Sequence, residues 1–438
     1  MFQDLSSIQQ FGTQIREGKL QITDAVEHYL NKVNERNTEL NIVVKGFDDE
    51  ARNRAEALDE ELRQGKDRGP MHGVPIAVKD IFAMTGCLPA AGSGAEIKCG
   101  KKDAAVISKL KASGAIILGT LNLDEFAAGG TGVNLWFGRC KNPLDSRRIT
   151  GGSSSGSAAA VSAGFCLASI GSDAGGSIRI PAAFCGVYGL KPTYGRVGRS
   201  GAVPRTWSMD CIGPLASSVD DLGIVLAAIS GFDADDPTSR RDSDFIWTRQ
   251  RFDNPPRIGV LSDKSGGDMP LASYERAVLS IEQSGFSLIP KSLDKLDLYT
   301  EYHQRVVKSE AATYHRAVLQ GKDSTVAPET VAALRSGMQI SAMEYLEAQT
   351  QRELLLQEFL DLVMNDVEVL VLPVSYEEAP IYHANTSRDA EMINQEFAKA
   401  SIFTRFVNFL GLPAVSLPTG LGPSGLPTAV QLIAKPFE

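Results

Sequence analysis

The sequence contains few of the residues that form metal and redox centres. Its six cysteines lie far apart and no CxxC pair occurs, which leaves a zinc site or a dithiol redox motif without support. Isolated cysteines are typical of reduced thiols, so we expect a cytoplasmic protein. Only five histidines are present, and none lies in the serine-rich segments described below. A histidine base for a serine would have to come from a distant part of the chain.

Long hydrophobic runs and an excess of basic residues are also missing. No run approaches the roughly 20 apolar residues that span a bilayer. The first residues, "MFQDLSSIQQFG", have no basic region followed by an apolar stretch, so no signal peptide is expected. The formal net charge of the 438 residues is −9, which argues against a protein held mainly by nucleic-acid phosphates. We expect neither a membrane nor a nucleic acid as a direct partner.

From about residue 73 onward, the sequence alternates between apolar segments and helical ones. Strands are predicted at 73–82, 115–122 and 165–173, and helices at 103–114 and 157–164. Strands that are apolar throughout are typical of a sheet covered by helices on both faces. The pattern predicts the α/β class.

The regions on either side of this alternation have other patterns. Residues 1–66 read as helical, with Thr23 as the cap of a helix and a short strand within 40–47. A polar excursion at 232–255 is followed by a helical stretch from about 271 to 365. Further strands are predicted at 257–262, 367–374 and 412–420.

The segment "TGGSSSGSAAAVSAG" (150–164) raises the question of catalysis. A flexible linker does not fit, because linkers join domains and are not placed between a strand–helix pair and an alanine-rich helix. A phosphate cradle is disfavoured, because neither GxxxxGK[ST] nor GxGxxG fits and no lysine follows the glycines. A helix-capping turn and a part of a catalytic site remain as alternatives.

A second serine–glycine cluster, "GSDAGGSIRIP" (171–181), favours the catalytic interpretation. It offers consecutive backbone N–H groups, those of Ala174, Gly175, Gly176 and Ser177. Such groups can converge on one oxyanion, and glycine lets the backbone approach a bound group closely. Ser177 would then be a nucleophile within its own oxyanion hole. The alternative is a plain tight turn, in which glycine is common.

A lysine is the candidate base for such a serine. Lys79 lies in "VPIAVKDIF", an otherwise apolar strand candidate. Burial disfavours an ammonium ion and lowers the pKa of a lysine, so a neutral Lys79 could accept a proton through an intervening serine hydroxyl. The alternative is an exposed lysine at a strand end, paired with the neighbouring Asp80.

Together these segments resemble the amidase signature family. In that family a lysine of a "VKD" strand, a serine directly after a Gly-Gly pair and a serine of "GGSIR" form a Ser-Ser-Lys triad. The nucleophile lies 24 positions beyond the first serine, which is the separation of Ser153 and Ser177 here. The resemblance therefore assigns the triad to Lys79, Ser153 and Ser177, with Ser154 and Asp173 in support. It also implies a cis peptide bond before Ser153.

The resemblance covers most of the chain. Further similar segments are 119–132, 137–145, 189–197, 213–222 and 406–420, and the match is poor at about 230–400. It implies one α/β domain over 1–438, with a twisted mixed sheet of about 10–11 strands covered by helices on both faces. Its parts are an N-terminal helical region (1–66), a signature core (67–230), a variable and mainly helical portion (231–400) and a return to the core sheet (401–438).

The activity that the resemblance implies is hydrolysis of a small linear carboxylic amide through an acyl-enzyme. Lys79 would draw a proton from Ser153, which would draw the proton of Ser177. This reaction needs no metal and no organic cofactor. Activity should fall on the acid side as Lys79 becomes protonated.

The substrate pocket and the partners are less well defined by the sequence. In the family the pocket is shaped partly by the loop that matches 127–132, which makes Ala128, Gly129 and Thr131 candidate substrate-binding residues. A glycine-rich turn is the alternative for this loop. The chain would act as a homodimer or with a partner subunit.

Two other functions remain as alternatives. The segments "NLDEFAAG" and "FGRCKNP" resemble the glutamine-hydrolysing component of tRNA-dependent glutamyl/aspartyl amidotransferases, their A subunit. That component recognises glutamine with an aspartate, but "SIFTRFVN" (401–408) has Ser401 at the matching place. Arg405 in the same segment is a candidate for binding a carboxylate of the substrate, or an ordinary surface arginine. A scaffold subunit with a vestigial site is the non-enzymatic alternative.

Overall fold

The computed structural model describes residues 7–100, 102–249, 254–261, 272–321, 325–375, 378–382, 398 and 400–438. Thirteen α-helices lie in these ranges. They are α1 (Ile8–Arg16), α2 (Ile22–Leu40), α3 (Asp48–Arg63), α4 (Ala105–Ser113), α5 (Ser155–Ser162), α6 (Arg179–Cys185), α7 (Val219–Ile229), α8 (Ala272–Gln283), α9 (Leu296–Tyr314), α10 (Arg316–Gln320), α11 (Pro328–Gly337), α12 (Ala342–Leu362) and α13 (Ile402–Phe409). Within the same ranges, no helix is long and apolar enough to cross a membrane.

Eleven strands form one mixed sheet, in agreement with the predicted α/β class. They are β1 (Val43–Gly46), β2 (Pro75–Lys79), β3 (Ile116–Leu121), β4 (Ala168–Asp173), β5 (Tyr188–Lys191), β6 (Cys211–Ala216), β7 (Ile258–Leu261), β8 (Leu288–Lys291), β9 (Val369–Pro373), β10 (Ala414–Leu421) and β11 (Pro427–Ala434). Their order across the sheet is β1-β3-β2-β4-β6-β5-β10-β11-β9-β7-β8.

The sheet has a parallel group towards each end and an antiparallel centre. Strands β3, β2 and β4 run parallel, and so do β9, β7 and β8. The pairs from β4 through β6, β5, β10 and β11 to β9 are antiparallel. Every residue of β2, β4 and β6 is buried. Because successive side chains of a strand face opposite sides, both faces of this part are covered.

Two predictions of local structure are wrong. Thr23 does not cap its helix: α2 begins at Ile22, and the carboxylate of Asp59 in α3 accepts the N–H groups of Ile22 (2.9 Å) and Thr23 (3.0 Å). A neighbouring helix therefore supplies the cap. The predicted helical stretch from 271 to 365 is interrupted by β8, which pairs in parallel with β7 at the edge of the sheet. A run of four residues is too short to show a period, so strand pairing decides its structure.

The register of β2 and β4 places their polar side chains together at the carboxyl ends of the two strands. Val78 of β2 lies opposite Ile170 of β4 in a parallel pair. The carboxyl ends of both strands, Lys79 and Ser172–Asp173, therefore meet. Helix α5, which begins at Ser155, packs on β2 and β4. The residues just before α5 therefore lie at the same end of the strands as Lys79.

Candidate active site

Lys79 lies at the centre of a cluster of serine hydroxyls. Its side chain has no solvent exposure, and its Nζ contacts the Oγ atoms of Ser153 (2.7 Å), Ser172 (2.9 Å) and Ser154 (3.0 Å). The alternative of an exposed Lys79–Asp80 pair is wrong. Asp80 instead accepts the N–H of Ala90 through its carboxylate (3.0 Å).

Burial lowers the pKa of Lys79 to about 7, even though Asp124, Asp210 and Asp173 act in the opposite direction. The cause is the cost of keeping an ammonium ion away from water, where only neutral hydroxyls contact it. At neutral pH a large fraction of this amine is uncharged. It is therefore able to accept a proton.

Ser177 reaches the cluster through its backbone. Its carbonyl oxygen accepts the N–H of Ser154 (3.2 Å), and the residue is 8% exposed. Among the described residues, the hydroxyl of Ser177 has no hydrogen-bond partner, so the structure does not join it directly to the hydroxyl of Ser153. The peptide bond between Gly152 and Ser153 is cis.

The predicted oxyanion hole contains one N–H that is already engaged. The N–H of Gly176 donates to Oδ1 of Asp173 (2.7 Å). The N–H groups of Ala174, Gly175 and Ser177 donate to no acceptor in the described part of the chain. Three of the four predicted donors thus remain available to an oxyanion, and the fourth holds the shape of the loop.

Asp173 and Arg179 form a buried network under this loop. Neither side chain has solvent exposure. Burial alone would raise the pKa of Asp173, but the Arg179 guanidinium and other donors hold it below its ordinary value. Arg179 Nε and Nη2 each lie 3.1 Å from an oxygen of Asp173. The guanidinium also donates to Asn408 Oδ1 (2.6 Å) and Gln431 Oε1 (2.9 Å). The network ties the oxyanion segment to α13 and β11.

The candidate substrate loop is wrapped around Asp124. Oδ1 of Asp124 accepts both the N–H (3.2 Å) and the hydroxyl (3.3 Å) of Thr131. A Cβ added at Gly129 would lie 2.3 Å from the same oxygen, and one added at Gly152 would lie 2.0 Å from Oδ2. The loop is therefore held against the residue that precedes Ser153. Ala128 is partly exposed in the same loop.

Several residues at this site were not identified from the sequence. Ser172 was missed although it is the third hydroxyl on Lys79; the alternation of β4, with Ser172 beside Asp173, was the available signal. Asp124 was missed although a carboxylate in the apolar segment "TLNLDEF" is unusual. His303 of α9 lies near Ser177 after all, since its Nε2 donates to the carbonyl oxygen of Ala174 (2.7 Å). Burial lowers the pKa of His303 to about 3, and its ring makes no hydrogen bond to Ser177.

Comparison with known proteins identifies the family of the chain. The model of the family described as Amidase matches residues 24–438. The A subunit of the glutamyl-tRNA(Gln) amidotransferase from Anaeromyxobacter dehalogenans (strain 2CP-C) is 35% identical over 98% of this chain and 93% of its own length. A fatty acid amide hydrolase from Arabidopsis thaliana is 33% identical over 87% of this chain and 65% of its own length.

A solved structure shows the same fold along the whole chain. It belongs to a vestigial protein complex that reveals the evolutionary origins of an s-triazine catabolic enzyme. The TM-score is 0.89 at 31% identity, over 99% of this chain and 95% of the other. The chain therefore belongs to the Amidase family of amidase signature enzymes and is a hydrolase that acts on C–N amide bonds.

Proposed function

We propose that the protein hydrolyses a small linear amide with Ser177 as nucleophile, Ser153 as proton relay and Lys79 as base. The observation that carries the proposal is the contact of 2.7 Å between Lys79 Nζ and Ser153 Oγ, made by a lysine with no solvent exposure. Burial gives this amine a pKa of about 7. A base whose pKa lies near the operating pH is the most effective proton acceptor.

The hydrogen bonds around Lys79 decide which hydroxyl can give it a proton. The hydroxyl of Ser154 donates to the carbonyl oxygen of Ser172 (3.0 Å) and also accepts the N–H of Ser172 (3.2 Å). Its proton is therefore engaged, and it serves Lys79 only as an acceptor. The hydroxyls of Ser153 and Ser172 have no other partner among the described residues. Ser153 is the better placed of the two, since the next residue is bonded to the backbone of Ser177.

The first half of the reaction forms an acyl-enzyme. Neutral Lys79 accepts the proton of Ser153, and Ser153 accepts that of Ser177 while the Oγ of Ser177 forms a bond to the carbonyl carbon. The N–H groups of Ala174, Gly175 and Ser177 receive the negative charge that develops on the carbonyl oxygen. One such donor is worth roughly 3–4 kcal/mol in a comparable hole. Rotation of the Ser177 hydroxyl towards Ser153 completes the relay, because catalytic hydrogen bonds often tighten only with substrate present.

The first half ends when the amine leaves, and the second half releases the carboxylic acid. The C–N bond breaks as the relay returns one proton from Lys79 to the departing nitrogen. Water then attacks the ester of Ser177, gives one proton to the same relay and restores the Ser177 hydroxyl when the carboxylic acid leaves. Lys79 ends each half as a neutral amine, so the protons balance without any further group.

The test is labelling with a serine-directed fluorophosphonate, followed by assay of ammonia release from a panel of simple amides. Wild-type protein should be labelled, and Ser177→Ala should not. Ser309→Ala is a matched control, because Ser309 lies in α9 and has no place in the proposed site. Labelling that persists in Ser177→Ala would show that another residue is the nucleophile. Unlabelled wild-type protein would support the vestigial scaffold instead.

Glutamine hydrolysis within an amidotransferase is the second candidate, because the relative at 35% identity is the A subunit of an amidotransferase. The resemblance expects an aspartate where this chain has Ser401, and Ser401 is buried with its hydroxyl directed to the carbonyl oxygen of Ala398 (3.2 Å). A glutaminase assay, alone and with amidotransferase partner subunits, separates the two candidates. Release of ammonia from glutamine only when partners are present would favour the amidotransferase.

A further inference from the structure

We propose that Arg405, assisted by Arg205, binds a free carboxylate of the substrate, so that the enzyme acts on amides that also carry a negative charge. This inference rests on the proposed function, because it assigns the substrate class of the same site. It depends on where two guanidinium groups lie relative to the oxyanion segment and on which partners they have.

Arg405 lies directly over the oxyanion segment. It follows Thr404, whose hydroxyl donates to the carbonyl oxygen of Gly175 (2.7 Å). A Cβ added at Gly175 would lie 3.6 Å from Cγ of Arg405. The side chain of Arg405 thus passes beside a residue whose N–H is a proposed oxyanion donor. A group bound by this arginine would belong to the same molecule as the scissile amide.

The guanidinium of Arg405 has no acceptor among the described residues. It forms no ion pair there, and burial lowers its pKa to about 10, with no carboxylate acting against this change. It still carries a full charge at neutral pH. Buried or half-buried arginines are normally paired, because an unpaired charge withdrawn from water is costly. A substrate carboxylate would supply the missing partner with bidentate geometry.

Arg205 is a second arginine whose positive charge acts on this region. Its guanidinium likewise makes no hydrogen bond or ion pair with the described residues. Both Arg405 and Arg205 lower the pKa of His303, whose ring donates to the carbonyl oxygen of Ala174. The charges of both arginines therefore act on a histidine that contacts the oxyanion segment. Positive charge of this kind favours an anion near the segment, in a protein whose net charge is −9.

Asp210 and Asp173 are buried carboxylates of this region. Oδ1 of Asp210 has no hydrogen-bond partner among the described residues, and the charge of Asp210 acts to raise the pKa of Arg205. The carboxylate of Asp210 accepts the backbone N–H groups of Arg205 (2.8 Å) and Thr206 (3.0 Å), and it forms no ion pair with the Arg205 guanidinium. Asp173 is paired with Arg179. Neither carboxylate neutralises Arg405. The positive charge is therefore available to an incoming anion.

His303 contributes a polar atom with no partner. Its Nε2 carries the proton that is donated to Ala174, so Nδ1 is an acceptor, and it is buried without a donor among the described residues. Because Nδ1 is buried, a substrate does not reach it, and recognition of an anionic group is left to the two guanidinium groups.

The experiment compares pairs of amides that differ only in the carboxylate. The first pair is glutaramate and pentanamide, in which the carboxylate lies on the acyl side of the scissile bond. The second pair is an N-acetyl amino acid and the corresponding N-acetyl amine, in which it lies on the amine side. We expect a higher kcat/KM for the anionic member of at least one pair. In Arg405→Gln that kcat/KM should fall about 10- to 100-fold, the usual range for a lost charge-assisted hydrogen bond. The value for the neutral member should change by less than about threefold, since the relay is untouched.

Arg305→Gln is the matched control. Arg305 lies in α9, two residues after His303, but its guanidinium pairs with Glu301 and with Glu347 (2.7 Å). It should leave both members of each pair unchanged. A second readout does not require turnover: glutarate should slow the labelling of Ser177 by the fluorophosphonate in wild-type protein and not in Arg405→Gln, while pentanamide slows both equally. Normal labelling of Arg405→Gln without competitor shows that the variant is folded.

The outcomes separate the two proposals. Wild-type protein that is not labelled at Ser177 overturns the proposed function. Normal labelling that glutarate does not slow overturns the carboxylate site alone. The carboxylate site is likewise overturned if anionic and neutral amides are hydrolysed equally well, or if Arg405→Gln lowers both by the same factor.

Discussion

The acid limb of the pH profile tests the role of Lys79 most directly. If the neutral amine is the base, kcat/KM of wild-type protein should follow the deprotonated fraction of Lys79, whose pKa burial lowers to about 7. With Lys79 as the only titrating group, activity is then about half of its plateau at pH 7, about 9% at pH 6 and about 1% at pH 5. It should rise through neutral pH and level off above about pH 8.

The deprotonated fraction of Lys79 at neutral pH is set by the burial of its side chain. A lysine in water has a pKa near 10.4, and its deprotonated fraction at pH 7 is about one part in 2,500. With a pKa of about 7 the fraction is about one half, so burial increases the population of the base roughly 1,000-fold, equivalent to about 4 kcal/mol. No other described lysine contacts a serine hydroxyl of the site.

The carboxylate of Asp124 changes the slope of the pH profile on its acid side. Burial raises the pKa of Asp124 to about 6, and its negative charge in turn raises the pKa of Lys79. Below about pH 6 Asp124 becomes protonated and this support is lost, so the slope should become shallower than one decade per pH unit. Asp124→Asn should move the midpoint to lower pH, after normalisation to its own plateau.

The assay measures ammonia release at substrate concentrations well below KM, because kcat/KM reports the free enzyme. The rate of fluorophosphonate labelling over the same pH range serves as a control that needs no turnover. Both should show the same midpoint. A profile that stays flat down to about pH 5, or an acid limb above about pH 9, would refute a neutral Lys79 as the base.

Three further predictions concern other parts of the site. Ser153→Ala should lower kcat/KM by about 1,000-fold or more, because the path of the proton from Ser177 to Lys79 is cut. Ser172→Ala should lower it by about tenfold or less, because that hydroxyl only positions Lys79. Steady-state kinetics on both variants tests this, and equal losses would contradict the assignment. Arg179→Gln should reduce the free energy of unfolding by about 3–5 kcal/mol in urea titration, because it leaves a buried carboxylate unpaired; a loss below about 1 kcal/mol would disagree with that network. Gly152→Ala should abolish activity and lower the temperature of unfolding, because its Cβ would lie 2.0 Å from Asp124. The double variant Gly152→Ala with Asp124→Gly should unfold at a higher temperature than Gly152→Ala alone. No such recovery would rule out this clash as the cause.

The secondary structure was predictable where the signal was long or regular. The strands that became β2, β3 and β4 and the helices α4 and α5 were placed within a few residues of their observed ends. Strand β6, "CIGPLA", was not predicted, because a Gly-Pro pair argues against a strand inside a sheet. In the structure Pro214 lies opposite Ile170 of β4, and the pairing with β5 is limited to Leu215 and Ala216.

The candidate site was predictable only in part. A glycine-rich segment and a lysine in an apolar strand made Ser177 and Lys79 candidates, because these residues stand out from their own neighbours, whereas Ser153 came from the resemblance to the amidase signature family. Ser172 and His303 do not stand out locally. Their position depends on which strands pair and on how α9 packs against the segment after β4.

The sequence by itself determined the α/β class, the family and the candidate nucleophile, because these depend on local spacing and on the order of apolar segments. Only the tertiary structure decided that Lys79 has no contact with water and three hydroxyls around its amine. Only the tertiary structure brought Arg405, 228 positions beyond Ser177 in the chain, beside Gly175. The pKa of a buried group and the partners of a charge depend on everything that surrounds them in space, and that surrounding exists only after distant segments have packed together.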